Sequence, residues 1–137
     1  MSWEIYIQDL PDVATVADIP EDFMPGIIGR KDALLAEVLS IWPTAEESDK
    51  EWVLLQEKDC DLSVRIVGDG EGGVRYIAIH VHGGSSSPQR VAELVQRLGR
   101  RALDTETGAF FDTERPDLGY VKWQAFKDQN TGDQAPS

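Results

Sequence analysis

Hydrophobic and polar positions alternate at the start of the chain. Trp3, Ile5 and Ile7 are separated by Glu4 and Tyr6, the period-2 pattern of a half-buried β-strand. Prolines and glycines then interrupt any periodicity between residues 9 and 29. This segment predicts a long irregular connection with one short helical turn. Connections of this length without regular structure often carry a function.

The pattern becomes helical twice further along the chain. Apolar residues recur at intervals of three and four over residues 30–42, and Pro43 ends that helix. The same spacing over residues 88–99 predicts a second amphipathic helix. Ser87 is a suitable N-cap for this helix, and Pro88 suits its first position.

Between the helices, residues 51–82 predict a three-stranded meander. Each of its three runs is rich in β-branched or alternating apolar residues, and Gly70, Gly72 and Gly73 supply a hairpin turn. Strands joined so closely are expected to pair antiparallel. After the second helix, short strands are expected over residues 102–104 and 109–111.

The resulting order is β-α-β-β-β-α-β, which predicts one α+β domain over residues 1–127. We expect a largely antiparallel sheet of four or five strands with both helices on one face. The other face of the sheet would be open or used for contact. The polar residues 128–137 predict a disordered C-terminal tail.

Charge is divided unevenly along the 137 residues. Residues 1–62 carry 15 Asp or Glu against 4 Lys or Arg, whereas residues 63–137 carry 10 against 9. The net charge of −12 therefore arises almost entirely in the first half. Charge of this kind bears on solubility and on the sign of a partner, and not on the fold.

The composition argues against several functional classes. An acidic balance disfavours nucleic acid and anionic membranes as partners, because both need clustered Lys and Arg. We see no secretory signal and no apolar run of the roughly 18 residues that a membrane helix needs. A cytoplasmic location is therefore expected, and Cys60, the single cysteine, is consistent with a reducing compartment.

The acidic first half predicts a surface complementary to a basic protein partner. The loops 9–29 and 43–51 combine carboxylates with exposed apolar residues. The alternative is a solvated surface that only keeps the protein soluble. The candidate partner-binding residues are Asp9, Asp12, Asp18, Glu21, Asp22, Phe23, Glu46, Glu47 and Asp49.

His80 and His82 are the weak candidates for a metal site. They lie two apart on a predicted strand, so both side chains should face the same side. His-X-His alone lacks the ligand count of a metal site, and the sequence places no third ligand. The alternative is a pair of partly exposed strand histidines.

No catalytic set or cofactor motif is assembled by the sequence. The turn Gly83-Gly84-Ser85-Ser86-Ser87 precedes a helix but has no Walker lysine. Cys60 lies between Asp59 and Asp61, and neighbouring carboxylates make a thiolate less available. The sequence predicts no cofactor and favours a non-enzymatic role.

Two phrases carry a resemblance to known proteins: Ile19-Pro20-Glu21-Asp22-Phe23 before the first helix, and Ala102-Leu103-Asp104-Thr105-Glu106-Thr107-Gly108-Ala109-Phe110-Phe111 after the second. With the order of elements, they resemble small uncharacterised bacterial proteins, some of which resemble immunity proteins of polymorphic or contact-dependent toxin systems. The resemblance implies a small acidic cytoplasmic protein that binds and blocks a cognate toxin. It carries no functional residues over by position.

The sequence therefore predicts a non-enzymatic acidic binding protein, with an immunity-type inhibitor of a basic protein as its sharpest form. Two alternatives stay open. One is a metal-binding protein or metal-dependent enzyme that uses His80 and His82. The other is a homo-oligomer, for instance a homodimer, whose open sheet face is its own interface.

Overall fold

The computed structural model describes residues 2–48 and 51–134, with side chains described up to residue 128. Eight strands and three helices make up this part of the chain. The strands are β1 Trp3–Gln8, β2 Gly29–Arg30, β3 Glu46–Ser48, β4 Trp52–Glu57, β5 Cys60–Gly68, β6 Gly73–Gly83, β7 Arg101–Asp104 and β8 Ala109–Phe110. The helices are α1 Lys31–Ile41, α2 Ser87–Leu98 and α3 Leu118–Gln134, and a 3-10 turn spans Val16–Asp18.

All strands pair antiparallel in one sheet of order β3-β4-β5-β6-β1-β7-β8, and β2 pairs with the beginning of β6. The predicted meander is confirmed as β4, β5 and β6. The N-terminal strand β1 inserts between β6 and β7. It thereby joins the meander to the C-terminal strands at the centre of the sheet.

The predicted α+β class is confirmed. The prediction of four or five strands and two helices was too low, because the described part of the chain contains eight strands and three helices. The additional strands β2 and β3 contain two and three residues, too short to show a period-2 pattern. Helix α3 was missed because its apolar residues do not form one stripe. Trp123 is fully buried while Val121 is 58% exposed, so both sides of the helix carry large apolar groups. The helix continues through residues 128–134, part of the predicted tail 128–137, whose last three residues lie outside the described residues.

One face of the sheet forms the core. Rows of directly paired apolar residues cross the strands, for example Ile5, Ile79 and Val64 on β1, β6 and β5. These residues are fully buried, and they belong to one cluster with residues from all three helices. Helix α2 contributes Val91 and Leu94 to that cluster. The three helices therefore cover the same face, and the opposite face carries no helix in the described part of the chain.

Asp104 connects the two ends of the chain beneath helix α3. Its carboxylate is 4% exposed and accepts a hydrogen bond of 2.8 Å from the indole Nε1 of Trp3. The same oxygen, Oδ1, accepts bonds from the backbone N–H groups of Glu106 and Thr107. The other oxygen lies against Gly119, in the first turn of α3, where there is no room for a Cβ atom.

We expect Gly119→Ala to destabilise the protein, although alanine is the better helix former. The added methyl would overlap the Asp104 carboxylate, which its three N–H partners hold in place. Overpacking of this kind costs about 1–3 kcal/mol. Gly83→Ala is the matched control, because a Cβ at Gly83 meets nothing within 4 Å. Urea unfolding measures both variants, and equal free energies of unfolding would contradict this packing.

Candidate functional site

The two edges of the sheet differ in how they are protected. Strand β3 at one edge carries Glu46 and Glu47, and charged side chains on an edge discourage further pairing. Strand β8 at the other edge consists of Ala109 and Phe110 and carries no charge. The β8 edge therefore lacks the protection that the β3 edge has.

A groove of about 650 Å³ runs beside this unprotected edge. One wall is the irregular segment 14–17, which includes the start of the 3-10 turn. The other wall is built by β8 and the residues on either side of it. The lining residues are Ala14, Thr15, Val16, Ala17, Arg101, Gly108, Ala109, Phe110, Phe111, Asp112, Thr113 and Glu114.

Arg101 contacts both walls of the groove. Its Nη1 atom donates hydrogen bonds of 2.7 Å to the carbonyl of Pro11 and 2.8 Å to the carbonyl of Val13. Its guanidinium carbon lies 3.6 Å from the centre of the Phe110 ring. A planar guanidinium can stack and donate to two carbonyls at once, which an ammonium group cannot do. The shape of the groove therefore depends on this one side chain.

Carboxylates occupy the rim of the groove. Asp112 and Glu114 line it directly, and both residues are exposed. On the opposite wall, Thr15 donates its hydroxyl to the Asp18 carboxylate over 3.0 Å. Asp12 is exposed between Pro11 and Val13, the two residues held by Arg101. Acidic groups from both halves of the chain therefore flank the groove.

None of the predicted partner-binding residues that the structure describes lines this groove; Asp12 and Asp18 come nearest, because they flank the wall at residues 14–17 along the chain. Glu46 and Glu47 lie on β3 at the far edge, six interstrand spacings from β8. At about 4.8 Å per spacing, the two edges are roughly 29 Å apart along the sheet. A contact patch that included both edges would have to extend across the whole width of the sheet. Asp49 lies outside the described residues.

The remaining predicted residues fall between these two edges. Asp9 is half-buried and forms an ion pair of 3.0 Å with Arg100. Glu21 and Asp22 are exposed, and the half-buried Phe23 closes a turn by donating its N–H to the carbonyl of Pro20. Asp9 is therefore partly neutralised, whereas Glu21 and Asp22 stay available at the surface.

Arginines of the second half of the chain neutralise several carboxylates of the first half. The pairs span 3.1 Å each and run from Arg65 to Glu51, from Arg90 to Glu57 and from Arg97 to Glu37. Such part-exposed pairs contribute little to stability, but they remove charge from the field that a partner meets. The acidic excess of residues 1–62 is therefore less concentrated than the sequence suggests.

His80 and His82 both lie on the open face of the sheet. The Nδ1 atom of His80 is 3.1 Å from a carboxylate oxygen of Glu4, and the His80 ring packs on Trp52. The Nε2 atom of His82 is 3.1 Å from the Ser63 hydroxyl. The described residues contain no group of three His, Cys, Asp or Glu side chains able to hold a metal ion. The histidines are thus engaged with separate neighbours on the sheet.

Burial lowers the pKa of His80, because it disfavours the charged imidazolium. The neighbouring Glu4 carboxylate acts in the opposite direction, whereas His82 and Arg65 lower the pKa further. His80 is therefore held in its neutral form more strongly than an exposed histidine.

Cys60 is buried, and its pKa is raised above the usual value for a thiol. Burial is the main cause, and the Ser87 hydroxyl acts against it. The sequence pointed to the flanking carboxylates instead, but Asp61 makes only a minor contribution. A protonated, buried thiol is a poor nucleophile.

Sequence reasoning missed Arg101 and Phe110 as members of a site. Arg101 is the first residue of β7, and its side chain points to the open face. Phe110 was assigned to a short strand without a role. The available signal was a cation three residues before Asp104.

Comparison with protein-family models, with curated proteins and with solved structures gives no match. Among the described residues, no helix combines the length and the apolar character needed to cross a bilayer.

We expect Arg101→Lys to loosen the wall formed by residues 11–17. Lysine keeps the charge but loses the planar stacking on Phe110 and the fixed geometry in which the guanidinium holds the two carbonyls. Hydrogen bonds from a charged donor contribute about 1.5–3 kcal/mol, so the local opening free energy should fall by that order. Amide hydrogen exchange of residues 12–18 measures the change. The exposed Arg115→Lys is the control, and identical exchange in both variants would disprove the role of Arg101.

We expect His80 to make the protein less stable as the pH falls from about 7 through the ordinary histidine pKa of about 6.5. The unfolded chain then binds a proton that the folded protein resists, because burial lowers the pKa of His80. Above that range both states are neutral and the contribution vanishes. His80→Gln should flatten this slope in urea unfolding. An unchanged slope in His80→Gln would contradict the proposed cause.

Proposed function

We propose that the protein is a non-enzymatic binding protein that takes a basic segment of a partner protein into the groove beside β8. The single observation that carries the proposal is the convergence of Asp112 and Glu114 with the wall at residues 14–17 around an uncharged sheet edge. A groove of about 650 Å³ is within the usual range for ligand sites.

The sign of the partner follows from charge at two distances. At contact, the carboxylates of Asp112 and Glu114 favour Lys or Arg side chains. At longer distance the net charge of −12 attracts cationic molecules and repels anionic ones. Arg101 adds one positive charge to the groove lining, but Asp112 and Glu114 supply two negative ones, so the lining keeps a net negative charge.

The resemblance to immunity proteins supports a specific form of this function. An inhibitor of that kind acts by occupying a surface of its toxin, and it needs no catalytic residues of its own. The cognate partner would then be a toxin with a basic segment that fits the groove. The burial and raised pKa of the Cys60 thiol are consistent with a role that involves no nucleophile.

A matched pair of charge reversals tests the location of the site. Asp12→Lys with Glu114→Lys alters the groove, and Glu46→Lys with Glu47→Lys alters the far edge, so each pair shifts the net charge from −12 to −8. Short peptides selected from a random display library on the unmodified protein serve as the probe. We expect them to be rich in Lys and Arg and to bind the groove variant at least about tenfold more weakly than the far-edge variant.

Calorimetric titration at low and high salt measures these affinities. Salt should weaken binding to the unmodified protein, because opposite charges meet in the contact. Equal weakening in the two variants would assign the effect to net charge alone and refute the groove as the site. Selected peptides that are neutral or acidic would refute the basic partner.

A further inference from the structure

We infer that the basic segment binds as an extended strand that adds to the sheet at β8. This inference rests on the proposed function and specifies how the same site recognises its partner. Strand addition supplies affinity through backbone hydrogen bonds and selectivity through alternate side chains. The inference depends on which backbone groups of β8 are free to pair.

The hydrogen-bond register of β7 and β8 determines which backbone groups of β8 are free to pair. The N–H of Phe111 donates 2.8 Å to the carbonyl of Ala102, so these two residues form a hydrogen-bonded pair. Pairs of the two kinds alternate along an antiparallel ladder. The adjacent pair is Leu103 with Phe110, and it is therefore a non-hydrogen-bonded pair. The N–H and C=O of Phe110 consequently point away from β7, at the edge that borders the groove.

The groove leaves room for a strand on that side. An added strand lies about 4.8 Å from its neighbour, and the space between β8 and the wall at residues 14–17 is open to solvent. This wall is made of the small or β-branched residues Ala14, Thr15, Val16 and Ala17. Such side chains allow the backbone of a ligand to approach closely.

Charge decides between a partner protein and a second copy of this chain. A second copy that paired through β8 would carry the same net charge of −12. Two copies therefore repel each other at long range. A strand with Lys or Arg at every second residue has the opposite effect, because one of its two side-chain rows can meet the rim carboxylates.

Two substitutions at one position test the strand. Phe110→Pro removes the outward N–H without removing a hydrogen bond to β7, a place where an edge strand tolerates proline. Phe110→Ala keeps the N–H and loses the ring, so both variants lose the stacking with Arg101. We expect the library-selected basic peptides to bind Phe110→Pro at least about tenfold more weakly than Phe110→Ala.

The peptides supply a second test that leaves the protein unchanged. N-methylation at every second peptide residue should abolish binding in one frame and leave it nearly intact in the other, because only one set of N–H groups faces β8. This test decides the question if Phe110→Pro fails to fold. Equal loss in both frames, or peptides that bind as helices by circular dichroism, would overturn strand addition.

The outcomes separate the two proposals. Peptide binding that depends on Asp12 and Glu114 but is unchanged by Phe110→Pro and by N-methylation would support the basic partner and refute strand addition. Peptides that form an acidic or neutral set, or a library that yields no groove-binding peptide, would overturn both.

Discussion

The Asp104 carboxylate determines how the C-terminal part of the chain meets the sheet. It is buried, and it accepts hydrogen bonds from the indole of Trp3 and from two backbone N–H groups of the turn that precedes β8. Removing such an acceptor would leave a buried indole N–H without a partner, at a cost of about 1–3 kcal/mol. The first turn of α3 closes over the same carboxylate at Gly119. Strand β1, the β7–β8 turn and α3 are therefore positioned by one side chain.

The groove depends on this arrangement for one of its walls. Asp104 fixes the turn from which β8 begins, and β8 with residues 111–114 forms that wall. Arg101 then holds the opposite wall through the carbonyls of Pro11 and Val13. The two residues lie on opposite faces of β7, since side chains alternate along a strand. A four-residue strand thus supports the core on one face and shapes the groove on the other.

More of the fold than of the groove could be predicted from the sequence. The strand at Trp3, the meander and helix α2 have strong periodicity, because burial on one face imposes it. The structure confirms them, together with the helix predicted before Pro43. The strands β2 and β3 are too short to show it, and α3 buries Trp123 while exposing Val121. The groove needs residues 14–17 beside Phe110, a neighbourhood created by the pairing of β1 with β7. No local sequence pattern reveals a pairing between segments about a hundred residues apart. The acidic loops at residues 9–29 and 43–51 were therefore predicted to form one binding surface, although their described parts lie toward different edges of the sheet.

In the proposed complex, charge would act on the partner at two ranges, through different residues. Beyond the Debye length of about 8 Å in physiological salt, carboxylates chiefly affect how often a partner arrives. Glu46 and Glu47, at the far edge from the groove, belong to that class. Within contact distance, the residues that line the groove determine how long a partner stays, and Asp112, Glu114 and Phe110 come from the nearly neutral second half. The half of the chain that carries the charge therefore differs from the half that supplies most of the proposed contact.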